Sequence, residues 1–275
     1  MNSFIKGLAA LGIALGVAGS AQAAEYPHVK PVEQDWSFAG PFGTYDQGQL
    51  QRGLKVYRES CAACHGLSRV PFRTLSDLGY SEAQVRALAA EYEVQDGPDA
   101  GGEMFNRAAL PSDTFPSPFA NPEAAAAANN GAAPPDLSLI AKARAVERGL
   151  PTFIFDVFTQ YAEGGPDYIY SLLTGYQDAP EGYNQQPGTY YNPHFIAGTS
   201  LSMPNPLSDG QVTYDDGAPE TVDQYAHDVA AFLMWAAEPH MDARKRMGFN
   251  VLVFLALFGT LVYLTKRKVW SRVEH

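Results

Sequence analysis

A mainly α-helical fold, with long irregular loops and one C-terminal transmembrane helix, is what the sequence predicts, and three observations predict it. Short stretches carry apolar residues at helical spacing behind recognisable N-terminal caps. Between them run segments rich in Pro, Gly and Asn that are longer than ordinary connections. Near the end, Met247 to Thr265 contains no charged residue and is long enough to cross a hydrocarbon layer as a helix.

The helices follow in chain order. In "DQGQLQRGLKVYRESCAACH", Asp46 is placed to cap, and Leu50, Leu54, Tyr57 and Cys61 share one face at steps of four, three and four. Both cysteines therefore fall at the end of a helix. "SEAQVRALAAEY" opens with a Ser81 to Gln84 capping box and turns Val85, Leu88 and Ala89 inward. "TVDQYAHDVAAFLMWAAEP" repeats the device with Thr221 and Gln224, stripes Val222, Ala226, Val229 and Leu233, and stops at Pro239. A further amphipathic helix is expected after Pro151, within residues 144–165. "DTFPSPFANPEAAAAANNGAAPPDLS" and "YQDAPEGYNQQPGTYYNPHF" read as loops, and a large buried apolar cofactor would supply the core they lack. The chain has no internal repeat.

Residues 1–23 have an early Lys6, an apolar run and a small-residue "AQA" end, the pattern of a cleaved signal peptide. This divides the chain into signal (1–23), periplasmic domain (24–243), transmembrane anchor (247–265) and cytoplasmic tail (266–275). Basic residues flank the anchor almost evenly, so export of the domain, rather than the flanks, sets its orientation. Residues 24–243 hold 11 Lys and Arg against 29 Asp and Glu, a net charge of −18. That field repels nucleic acid and draws cationic partners, although acidity also serves solubility.

The only two cysteines lie in "ESCAACHGL", as Cys61 and Cys64, with His65 directly behind. A thioredoxin-like pair needs no adjacent histidine, a structural zinc site wants four ligands, and a disulfide here closes too short a loop to stabilise much. Cys-x-x-Cys-His as the attachment site of a c-type haem accounts for all three residues. The fold class is thus a c-type cytochrome domain with long loops packed around one covalent haem. For electron transfer the iron needs a sixth ligand. Met203 in "SLSMPNPL" is the favoured candidate, because Pro204 and Pro206 stiffen its loop, whereas Met104, Met234, Met241 and Met247 sit in less suitable settings. A bis-His site using His194, His227, His240 or His275 stays open on these grounds.

The motifs "EVQDGP", "GEMFNR", "NPEAAAAANNGAAPPDLSLIAKAR", "DYIYSLLTGY", "YYNPHF", "SMPNPL", "DVAAFLMWAAEP" and "RKRMGF" are more specific than the haem motif, and through them the chain resembles the cytochrome c1 family of bacterial type. These are the haem subunits of the cytochrome bc1 complex (ubiquinol:cytochrome c oxidoreductase, complex III). The resemblance implies one haem c on Cys61 and Cys64, with His65 and Met203 as axial ligands. It implies that Arg144 and Tyr168 contact the haem propionates, that Asn129 lies nearby, and that the backbone of Pro134 or Pro135 accepts a hydrogen bond from the axial histidine. It further implies cytochrome b and the Rieske iron-sulfur protein as partners, a cytochrome c as acceptor, surrounding membrane lipid, a dimeric complex and a bacterial inner-membrane location. Bond chemistry of its own is not expected of this subunit. Two departures stand out: no cysteines remain to staple a loop, as in some bacterial relatives, and residues 145–163 look like an insertion relative to mitochondrial members. The rival readings are a free-standing membrane-anchored cytochrome c and a haem-free periplasmic protein with a redox-active cysteine pair.

Overall fold

The computed structural model describes residues 29–146 and 163–271 and, between them, Thr152, Phe155 and Asp156. The expected signal peptide, most of the 145–163 insertion and His275 lie outside the described residues, and of the helix expected after Pro151 only Thr152, Phe155 and Asp156 are described, all three helical.

Asp46 accepts from the Gln49 N–H at 2.7 Å and caps helix α1, Gln47–Val56. Leu50 and Leu54 are buried on its inner face, and Tyr57 is buried just beyond it. The helix does not run on regularly to the cysteines. It widens into a π-helical turn, Tyr57–Cys61, in which the Ala62 N–H reaches back five residues to the Tyr57 carbonyl at 2.8 Å.

Helix α1 crosses a largely buried helix, which takes the label α6, Val222–Ala237, once those between are placed. The approach is set by Gly53, where a Cβ would fall 2.2 Å from the Asp228 carbonyl oxygen and 2.6 Å from Phe232 Cβ. Beside it the Arg52 guanidinium grips the fully buried Asp228 with both Nε and Nη2, at 2.8 and 3.1 Å, while Gln224 Nε2 adds a bond at 2.9 Å. A carboxylate so enclosed is tolerated because it is multiply paired.

After a 3₁₀ turn at Phe72–Leu78 come α2, Glu82–Ala90, with the capping box at Ser81 and Gln84, and a short antiparallel hairpin of β1, Glu93–Asp96, and β2, Phe105–Ala108. Tyr57, Phe72, Tyr92 and Phe115 form an aromatic cluster here, Phe72 and Phe115 lying 4.3 Å apart by ring centroid. The segment read as a loop contains α3, Pro122–Ala128, because Asn121 caps it through the Ala124 N–H at 2.7 Å. Helix α4, Ile140–Ala143, is one turn long.

Helix α5, Gly164–Thr174, is an element the apolar spacing did not predict. It nests against α4 because Gly165 has no side chain; a Cβ would lie 1.5 Å from the Ala141 carbonyl oxygen. The N-terminal strap runs along it, with Trp36 Nε1 donating to the buried Asp167 at 2.8 Å and the Val32 N–H to Ser171 Oγ at 2.8 Å. Strands β3, Tyr190–Tyr191, and β4, Ser200–Leu201, pair antiparallel before α6. Helix α7, Met241–Trp270, extends past the expected anchor at both ends, so its basic flanks are helical too. Among the described residues it is the one helix long and apolar enough to cross a membrane.

Replacing Arg52 by Met leaves Asp228 buried without its main partner, and it should destabilise the fold by about 3 kcal/mol. Thermal unfolding in detergent, followed by far-ultraviolet circular dichroism, measures this.

Candidate haem site

The Cys-x-x-Cys-His turn is closed by its own backbone, the Cys64 and His65 N–H groups donating to the Cys61 carbonyl at 3.1 and 2.9 Å. Tyr57, at the base of the preceding turn, donates its hydroxyl to the His65 carbonyl at 2.9 Å. The residues that follow are zipped to residues 135–138. Leu137 N–H donates to the Gly66 carbonyl at 2.8 Å, Ser68 N–H to Asp136 Oδ2 at 2.8 Å, and Arg69 N–H to Ser138 Oγ at 3.1 Å. This zipper sets His65 Nδ1 2.8 Å from the Pro135 carbonyl oxygen. A carbonyl only accepts, so Nδ1 carries the proton. Burial lowers the His65 pKa against the opposing pull of Pro135 and Asp136, which keeps the ring neutral. A neutral ring with its proton on Nδ1 presents a lone pair at Nε2, the form in which histidine ligates a metal.

Both cysteines are free thiols, Cys61 partly buried and Cys64 exposed. Burial, and then the neighbouring Cys64, push the Cys61 thiol up to about 12. A redox-active pair needs the opposite, a depressed pKa that yields thiolate at neutral pH. A Cys61 thiol so raised, just ahead of an imidazole with a free lone pair, fits a thioredoxin-like pair poorly.

Met203 follows β4 and is half-buried, packed against the same apolar core as Cys61, Ile140 and Ile196. Its loop is braced by phenols. Tyr176 donates to the Met203 carbonyl at 3.1 Å, and the Tyr183 hydroxyl lies 2.6 Å from Thr199 Oγ1 and 2.8 Å from Ser200 Oγ. Tyr168 is buried and accepts from the Ile196 N–H at 3.2 Å. Burial raises its pKa, while the Ile196 N–H and the Arg144 charge oppose the rise. Burial also raises Tyr176, with Tyr168 adding to the effect. Tyr176 is thus bonded to the Met203 loop, and the Arg144 charge is near enough to Tyr168 to act on its hydroxyl. Tyr176 and Tyr183 were not singled out from the sequence; both lie in irregular chain beyond α5, where apolar spacing gives no signal.

Asn129 ends α3, and its Nδ2 donates to the Ala125 carbonyl at 2.7 Å, so part of that amide serves its own helix. Of the other histidines, His227 stacks on Trp36 with centroids 4.4 Å apart, and its Nδ1 lies 2.8 Å from Gln49 Nε2. His240 caps α7, and the His194 N–H donates to Asn192 Oδ1 at 3.0 Å. Met234 and Met241 are buried in the core, while Met104 and Met247 are exposed.

A mainly helical domain built on a pinned Cys-x-x-Cys-His turn, with one long apolar helix behind it, defines a c-type cytochrome of the membrane-anchored class. Comparison with known proteins narrows the class. The family model described as "Cytochrome C1 family" matches residues 36–273. The chain is 46% identical to "Cytochrome c1" of Rhodospirillum rubrum, each protein being covered completely, and 44% identical, over 87% of itself and 72% of the relative, to "Cytochrome c1, heme protein, mitochondrial" of Saccharomyces cerevisiae. It is 57% identical over 97% of its length to "Cytochrome b/c1" of Bradyrhizobium diazoefficiens and spans 40% of that longer protein. The chain belongs to the cytochrome c1 family, whose members are electron-carrying haem subunits of the bc1 complex with a covalently bound haem c.

Two predictions concern the zipper and the brace. Burial raises the Asp136 carboxyl, but hydrogen bonds from Ser138 and Ser68 outweigh it and hold the pKa below the usual value. Its contribution is therefore complete above about pH 4, the unfolded value, and is lost as pH falls through the folded pKa. Asp136→Asn should lower urea stability at pH 7 by less than about 1 kcal/mol, because the carboxylate is solvent-screened, and the difference from the parent should close as the pH falls through the lowered folded pKa. Tyr176→Phe should loosen the Met203 loop by about 1 kcal/mol, read as faster amide exchange confined to residues 199–204.

Proposed function

We propose that this chain carries one haem c, bonded through Cys61 and Cys64 with His65 and Met203 as axial ligands. In the bc1 complex it relays single electrons from the Rieske iron-sulfur protein to a cytochrome c. The observation that carries the reading is the pinning of His65 Nδ1 by Pro135, which prepares Nε2 as a ligand immediately beside the two thiols. When bound, the haem supplies a one-electron couple.

The chain's residues set the conditions for that couple. Pro135 holds the proton of His65 at Nδ1, and the Asp136 zipper keeps the imidazole in one orientation. Met203 would offer a thioether, which together with an imidazole favours a higher potential than two imidazoles. Arg144 and Tyr168 pair a cation with a phenol where two carboxylates would need partners. Asn129, with one amide hydrogen committed to α3, would border the same cofactor through the rest of its side chain. The aromatic cluster around Tyr57 excludes water from the side of the turn facing the core.

With the domain exported and α7 spanning the inner membrane, the haem would lie on the periplasmic side, beside cytochrome b and the Rieske protein, and the C-terminus in the cytoplasm. The net charge of −18 on residues 24–243 would speed the approach of a basic cytochrome c at low salt. Lipid would surround the free faces of α7, and the assembled complex would be dimeric.

Met203→Leu tests the ligand assignment. Redox titration should find the potential lowered by about 0.1 V or more, within the roughly 0.8 V that axial ligands command, with the covalent pigment retained. An unchanged potential would move the sixth ligand to another residue. Recovery of cytochrome b and the Rieske protein with the chain in mild detergent separates this reading from a free-standing anchored cytochrome.

A further inference from the structure

Helix α7 does not leave the domain on a loose tether. Ahead of its charge-free stretch it is held by a polar collar. Asp242 Oδ2 accepts from the Tyr45 N–H at 3.2 Å, and the Tyr45 hydroxyl donates to the Glu238 carbonyl at 3.2 Å. The Glu238 carboxylate, almost fully enclosed, takes both Lys142 and Arg244. Lys245 turns back onto the domain, its Nζ donating to the carbonyls of Phe38 at 2.5 Å and Gly43 at 3.2 Å.

Those two carbonyls bracket a tight loop. Gly40 has φ 65°, and a Cβ on Gly43 would fall 2.1 Å from the Ala39 carbonyl oxygen, so both positions demand glycine. Phe42 stands at the loop's tip, 75% exposed. Its ring meets Phe249 edge-on, with centroids 5.8 Å apart and planes at 72°. Phe249 is two residues inside the charge-free stretch, about 3 Å along the helix from Met247. A large apolar ring is thus held rigidly outside the domain, level with the edge of the hydrocarbon layer. The cation of Arg246 lies about one turn nearer the domain, at headgroup level.

We propose that residues 40–43 form a lipid-facing wedge. The Phe42 ring enters the boundary between headgroups and acyl chains in the leaflet on the domain's side, at the depth of Phe249, while the exposed Arg246 faces the lipid phosphates. The apolar surface of the wedge is continuous with that of the span, which is why lipid is the occupant. With α7 it gives the domain two points of attachment to the bilayer, and the collar makes them one rigid unit, so that the tilt of the domain over the membrane is fixed. This rests on α7 being the span and is independent of the haem assignment.

Spin labelling of the full chain in lipid nanodiscs tests it. Nitroxides are placed singly at Phe42→Cys, at Phe249→Cys as the lipid reference, and at the exposed Glu123→Cys as the aqueous reference. The parent chain, treated in parallel, gives any background from Cys61 and Cys64. The expected result is a ratio of oxygen to nickel-chelate accessibility at position 42 several-fold above that at 123 and close to that at 249. A ratio at 42 equal to that at 123, with 249 still lipid-exposed, overturns the wedge and leaves the span intact. A label at 42 shielded from both reagents means that polypeptide covers the loop, which overturns the lipid assignment. An aqueous label at 249 overturns wedge and span together.

Discussion

The site depends on the bond between His65 Nδ1 and the Pro135 carbonyl. An imidazole free to rotate, or protonated on the wrong nitrogen, would present no lone pair in a fixed direction. The backbone supplies the constraint at small cost, because a carbonyl cannot ionise or change rotamer. The bond is kept in register by the bonds that follow it, between Gly66, Ser68 and Arg69 and residues 136–138. Seventy residues of chain separate the two partners, so the intervening fold exists in part to bring them together.

That fold is a small helical frame with little slack. The α1 and α6 backbones come together at Gly53, and Arg52 with Asp228 locks the crossing. Helix α1 then leads through Tyr57 into the Cys-x-x-Cys-His turn, while Arg144 ends α4 and Tyr168 lies on α5. Phenols complete the structure in a chain with no cysteines beyond the haem pair. Tyr57 holds His65, Tyr176 holds Met203, and Tyr183 holds the strand before it. A hydrogen bond from a phenol is weaker than a covalent staple, but three of them brace the two segments that hold His65 and Met203.

Much of this was legible in the residues. The cysteine and histidine spacing pointed to the covalent haem that marks the family, the caps at Asp46, Ser81 and Thr221 marked helix starts, and the uncharged stretch after Arg246 lies within the one described helix long and apolar enough to cross a membrane. Helix α5 was not legible, because its first turn is Gly-Gly-Pro and its stability comes from burial against α4 and the N-terminal strap, which local spacing does not record. Helix α3 hid in an alanine run between Pro and Asn residues that read as loop. The π-turn before Cys61 leaves no mark on the apolar pattern, since Tyr57 and Cys61 keep a four-residue step either way. The Tyr176 and Tyr183 bonds join segments brought together only by the fold.

The measurement that bears most directly on the account is intact mass spectrometry of the chain purified from its native membrane under denaturing conditions, followed by peptide mapping. The account requires a single tetrapyrrole adduct that survives denaturation and maps to the peptide holding both Cys61 and Cys64. A bare polypeptide with two unmodified thiols would contradict it.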